Sequence, residues 1–201
     1  MLGLLVGCSN PTGSDDGGDG TSQDDSVNGD QNGSNGQNGS DGGSDLGGTY
    51  GPVEAALVGV NPDQDDGATR VSVHLSTGGF SQPGVGEEGS DVVTLILNQN
   101  SEVSSVDNAE VDLEQGGSAV WTASALFGRV DYSDLDTGYE VTGGTVTVDT
   151  GNFIGESFGS DIDLTVSGSL EVRVYDSSGT IDTATLQVDY SGTAELVDPN
   201  E

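Results

Sequence analysis

From position 161 to 174 the apolar and polar residues alternate without a slip. Ile162, Leu164, Val166, Leu170, Val172 and Val174 take the even positions, and Asp163, Thr165, Ser167, Ser169, Glu171 and Arg173 lie between them. A period of two places one face of a strand in a core and the other in water. Gly168 falls in the apolar register, where a missing side chain marks a bend or a close backbone approach. Asp176-Ser177-Ser178-Gly179 reads as a hairpin turn. The strand after it puts Ala184, Leu186, Val188, Tyr190, Ala194 and Leu196 on one face. Upstream, Tyr139 and Val141 share one phase while Val146 and Val148 share the other. The switch at Gly143-Gly144 predicts a β-bulge.

Earlier strands are predicted over Val53–Val60, Thr69–Ser76, Val92–Leu97, a short Glu110–Leu113, and Ala119–Tyr132 with a break near Gly128. Ala119–Phe127 is the one stretch whose composition also suits a short helix. No segment of ten residues shows a clean 3.6-residue period. Short strands separated by Gly, Asp, Ser and Asn turns predict an all-β fold, a mostly antiparallel β-sandwich or flattened barrel.

The composition changes sharply at Tyr50. Residues 9–48 are built from Gly, Asp, Ser, Asn and Gln, with Val27 and Leu46 the clearly apolar members. Such a segment cannot bury enough apolar surface to offset its ordering entropy, so a disordered acidic tether is expected. A coil of that length spans about 35 Å end to end, and charge repulsion extends it. Three regions follow: 1–8, a tether over 9–48, and an acidic β domain over 49–201.

The chain opens Met1-Leu2-Gly3-Leu4-Leu5-Val6-Gly7-Cys8, and Cys8 is its single cysteine. Leu5-Val6-Gly7-Cys8 resembles the lipobox of prokaryotic lipoproteins. The resemblance is confined to these residues and the polar tether behind them. It implies that residues 1–7 are the remnant of a signal peptide, that Cys8 carries the lipid, and that the protein is extracytoplasmic and lipid-anchored to the cell envelope. Ser9 rather than aspartate after the cysteine implies the outer membrane or cell surface. Only seven residues precede Cys8 and none is basic, so Met1 is expected to be an internal methionine of a longer signal.

Charge narrows the classes of partner. Asp and Glu number 35 against 3 Lys and Arg, a formal net charge of −32. There is no lysine, and Arg70, Arg129 and Arg173 are the only permanent cations among the side chains. Nucleic acid is excluded as a partner, because phosphate binding depends on clustered Lys and Arg. Attraction to an anionic lipid surface is excluded on the same ground, so membrane attachment rests on the lipid. The imbalance strains a folded state by self-repulsion, which salt screens; a halophilic source is expected. One cysteine permits no internal disulfide, so stability must come from a hydrophobic core.

Candidate chemistry is sparse. Gly155-Glu156-Ser157-Phe158-Gly159 matches the nucleophile-elbow pattern G-x-S-x-G, but that motif requires a following helix, and here the clearest strand follows. The single His74 also precedes the serine, against the expected order. His74 shares its phase with Ser72 and Ser76, predicting an exposed position on the polar side of its strand. Transition-metal sites need several His or Cys ligands, which this chain lacks. Calcium prefers oxygen donors. Asn61-Pro62-Asp63-Gln64-Asp65-Asp66-Gly67 approaches an EF-hand loop, but its glycine is one place late and Ser72 stands at the twelfth position. Asp131, Asp134 and Asp136 form a second acidic cluster, read like the first as solvated surface. Arg173 and Tyr175 face outward, as a binding patch or as an edge-of-sheet residue pair. Asn32 and Asn38 match the N-glycosylation pattern by composition alone.

No catalytic, cofactor or metal residue is therefore assigned. The expectation is a lipid-anchored surface protein, not an enzyme, whose β domain is structural or binds another surface protein or glycan. The alternative is a carbohydrate- or calcium-dependent ligand-binding module.

Overall fold

A computed structural model describes residues 46, 48–62, 67–131 and 136–198. All regular structure among them is β. The strands are β1 Gly48–Tyr50, β2 Ala55–Pro62, β3 Thr69–Ser76, β4 Phe80–Gln82, β5 Val85–Gly86, β6 Asp91–Gln99, β7 Ala109–Asp112, β8 Thr122–Arg129, β9 Gly138–Thr150, β10 Asp161–Asp176 and β11 Gly179–Val197. Nine of them form one sheet in the order β7-β9-β10-β11-β2-β3-β6-β8, with β1 also on β11, and β4–β5 forms a separate hairpin. Two pairings are parallel, β1 and β2 each against β11; the others are antiparallel.

The sheet curls until its outer strands nearly meet. Gly117, in the turn between β7 and β8, bridges to Asp112 on one side and Thr122 on the other. A side chain at Gly117 would meet the Trp121 carbonyl oxygen at 2.1 Å, so the closing turn needs a glycine. Further along the seam, Phe127 of β8 and Tyr139 of β9 pack edge to face, centroids 5.3 Å apart. The result is a nearly closed, flattened barrel, which shortens the exposed strand edges that invite aggregation.

The alternation over 161–174 holds throughout. Ile162, Leu164, Val166, Leu170, Val172 and Val174 are all buried. They meet Val71, Val73 and Leu75 of β3, Val93, Leu95 and Leu97 of β6, and Leu186, Val188 and Leu196 of β11 in one core. Burying each such side chain stabilises the fold by about 2 kcal/mol. The interior is filled with branched aliphatic residues.

The two predicted backbone irregularities are present. Gly168 has φ +141°, and a Cβ there would lie 2.2 Å from the Thr145 carbonyl oxygen. Glu171 pairs with Gly143 and Val172 with Val141, so the extra residue of the bulge is Thr142. This insertion carries Val141 and Val146 to the same side despite their opposite phases. The Asp176–Gly179 hairpin also forms, and Asp176 Oδ1 accepts the Ser178 backbone N–H at 2.7 Å.

Other elements depart from expectation. Thr69–Ser76 matches residue for residue, but Ala119–Phe127 contains no helix. Its alanines give helical propensity, yet Thr122–Asn98 through Arg129–Asp91 pair β8 to β6 along its whole length. Tertiary pairing overrides the weak local preference. No break occurs at Gly128, which pairs with Val92 inside the ladder. β1, β4 and β5 are too short to show a period. Leu46 is buried and Gly48 lies in β1, so the sheet and core take up residues just upstream of position 49.

Candidate functional site

The barrel has two different ends. At one, β9 begins and β10 turns into β11. Tyr50 reaches inward there and its hydroxyl donates toward the carbonyls of Leu75 and Asp91, at 2.8 and 2.6 Å. Its ring meets Phe127 edge on, centroids 6.4 Å apart, continuing the contact of Phe127 with Tyr139. Burial, with the Asp91 carboxylate nearby, holds the Tyr50 hydroxyl well above the ordinary tyrosine pKa. Arg129 grips Asp91 with two bonds of 2.8 and 3.0 Å, which raises the arginine pKa further. This end is tied off by aromatic packing and a bidentate ion pair.

The opposite end carries loop 151–160, between β9 and β10. Its backbone is fixed on both sides: Phe153 N donates to Ser104 O at 2.9 Å, Gly159 N to Leu196 O at 2.7 Å, and Leu196 N to Ser160 O at 2.8 Å. The Phe153 side chain is buried in the core. Asn152 Oδ1 accepts the Ile154 N–H at 2.8 Å, closing a small side-chain turn. Gly155 and Gly159 both have φ +86°, a conformation that favours glycine. The loop so held points Ile154 and Phe158 into water, 53% and 57% exposed.

Beside them opens a cleft of about 280 Å³ with Val103, Phe153, Phe158 and Leu196 as apolar walls and with Glu102 and Glu156 in its lining. Both glutamates are exposed. Thr69 pins the facing segment: its hydroxyl donates to Ser101 O at 3.1 Å and accepts Val103 N–H at 3.3 Å. The wall is therefore set by bonds between elements rather than by a free loop. All three arginines are engaged elsewhere, Arg70 with Asn98, Arg129 with Asp91 and Arg173 with Glu140. None neutralises the two glutamates.

A second cleft, about 260 Å³, lies on the outer face between the β4–β5 hairpin and β6–β8. Its charged lining residue, Arg129, is committed to Asp91. Gly86 packs so closely on Ser90 and Val92 that a Cβ would lie 2.4 and 2.6 Å from them. This trough is the seat of the hairpin. The loop-end cleft, with free carboxylates beside exposed apolar groups, is the better candidate.

Comparison with known proteins adds no analogy. No family model matches the chain, and no curated protein or solved structure matches it.

The residues singled out by the sequence scatter. Ser157 is exposed in loop 151–160, and the chain after it enters β10 directly, with no helix. His74 is not exposed. The β4–β5 hairpin covers it so closely that a Cβ on Gly84 would lie 2.9 Å from the imidazole, and its Nδ1 lies 2.9 Å from Thr94 Oγ1. Burial lowers its pKa. The polar phase was read correctly; the hairpin that shields it leaves no local periodic signal. Arg173 and Tyr175 do not stand at a sheet edge, because β10 is paired on both sides, by β9 and β11; Arg173 instead meets Glu140 and the Tyr175 ring lies over Gly138. Among the described residues no group of three or more His, Cys, Asp or Glu could hold a metal. Cys8, Asn32, Asn38, Asp63–Asp66 and Asp134 lie outside the described residues. Ile154 and Phe158 were missed. Their signal was two large apolar residues in a turn of Gly, Asn, Ser and Glu, where turn chemistry does not call for them.

Proposed function

We propose that the chain is a lipid-anchored envelope protein, attached through Cys8, whose β domain is a non-enzymatic interaction module. The lipobox-like Leu5-Val6-Gly7-Cys8, with the polar segment after it, carries the anchoring half. An acidic particle of this charge needs such an anchor, since anionic lipid repels it.

The interaction half is supported by the cleft at the loop end, where the exposed Ile154 and Phe158 stand beside Glu102 and Glu156. The packed aliphatic interior supports binding at the surface rather than within the barrel.

Mass spectrometry of the native N-terminus tests the anchor. A diacyl or triacyl Cys8 is expected, with the protein partitioning into detergent and the Cys8→Ser variant remaining in water. Recovery of unmodified Met1 from the cell envelope, or aqueous partitioning of the wild type, overturns the anchoring.

A further inference from the structure

We infer that the cleft beside loop 151–160 is a docking site for a basic peptide segment of a partner protein, one bearing an apolar side chain flanked by Lys or Arg. This deepens the interaction half of the proposed function and is independent of the anchor.

Three observations converge on that occupant. The first is size and lining. A cleft of about 280 Å³ walled by Val103, Phe153, Phe158 and Leu196 has room for a side chain or two. It falls just below the range of small-molecule sites, which run from roughly 300 Å³ upward.

The second is preorganisation. Exposed apolar groups on mobile loops lose entropy when they bind. Here the loop is already fixed by backbone bonds to Ser104 and Leu196 and by the buried Phe153. Ile154 and Phe158 therefore stand in water at little further ordering cost. Rigid, exposed aromatic and aliphatic groups at the edge of a pocket are what interface hot spots are made from.

The third is charge complementarity. Glu102 and Glu156 line the cleft with no arginine to answer them. The chain contains no lysine and has a net charge of −32. A partner approaching this end is steered by positive charge and repelled if acidic. An apolar ligand without charge would leave the carboxylates unanswered. A purely cationic one would leave Ile154 and Phe158 in water.

The test is a titration of the full 201-residue chain at 0.15 M salt, followed by amide shifts in NMR. Three probe peptides are compared: acetyl-Gly-Lys-Leu-Lys-Gly-amide, the same peptide with Ser for Leu, and the same with Glu for both Lys. The first is expected to saturate and to shift amides in 152–160 and 102–103. The serine probe should bind at least fivefold more weakly, and the glutamate probe should not bind. Phe158→Ser and the pair Glu102→Gln with Glu156→Gln should each weaken the first probe about tenfold. All of these residues are exposed, and an unchanged amide spectrum elsewhere shows that the variants fold.

Equal binding of the serine probe reduces the effect to charge condensation on an acidic protein and overturns the site. Shifts confined to other regions, or insensitivity to Phe158→Ser, overturn it as well. Cellohexaose moving the same amides while the basic probe does not would replace the peptide with a glycan. Shifts at 152–160 that depend on protein concentration alone would replace it with a second copy. Each of these results leaves acylation of Cys8 to be judged by its own measurement.

Discussion

Two phenylalanines at opposite ends of one barrel have opposite fates. Phe127 is 6% exposed, clasped edge to face between Tyr50 and Tyr139. Phe158 is 57% exposed on a loop anchored by backbone bonds at Phe153, Gly159 and Ser160. The closed end uses its aromatics to hold strands together across the seam. The cleft end holds its loop at a few backbone anchors and presents apolar surface to solvent. Rigid exposure of that kind does nothing for folding, which is why the second end is the one to search for a partner.

The sharpest way to break this contrast is truncation. Phe127→Ala should cost about 3–5 kcal/mol, as a buried aromatic leaves a cavity and removes both ring contacts. Urea unfolding measures it, and a loss below 1 kcal/mol would mean that the aromatic seam does not hold the barrel closed. Tyr50→Phe keeps the ring but deletes the hydroxyl, leaving the Leu75 and Asp91 carbonyls without that donor. A loss of about 1–2 kcal/mol is expected in the same assay.

His74 gives a smaller, pH-dependent difference. Burial holds its imidazole below the ordinary 6.5, so the unfolded chain takes up the proton first as pH falls. The contribution is fully present above 6.5, shrinks as pH drops below it, and levels off under the folded value. Denaturant curves between pH 7 and 5 should show the wild type losing more stability than His74→Gln, with the carboxylate titrations common to both. A parallel pair of curves would show that the β4–β5 hairpin does not shield the ring. Phe158→Ser should change stability by no more than about 0.5 kcal/mol. A larger loss by thermal melting would make Phe158 a structural residue and end the comparison.

Legibility followed the range of the interaction. Thr69–Ser76 was readable to the residue because a half-buried strand writes its period locally. Gly168 and the Gly143-Gly144 phase switch were readable because a gap in the pattern has a local steric cause. Ala119–Phe127 was ambiguous, since only the ladder with Asp91–Gln99 selects strand over helix. The cover over His74 was invisible: Phe80–Gly86 is too short to have a period, and its place is decided by contacts with β3 and β6. At loop 151–160 the sequence offered a motif match at Ser157 that the following strand ruled out, while the structure points at its neighbours Ile154 and Phe158.

What the sequence by itself determined is the all-β class, the strand faces, the hairpin at Asp176–Gly179 and the extreme negative charge. These depend on side-chain period, turn chemistry and composition, all of which act over a few residues or over none. Only the tertiary structure decided that β7 and β8 come together through Gly117, that one end is sealed by Tyr50, Phe127 and Tyr139, and that the other carries an open cleft. Those outcomes depend on which strands meet across tens of residues, and a local pattern holds no record of its distant partners.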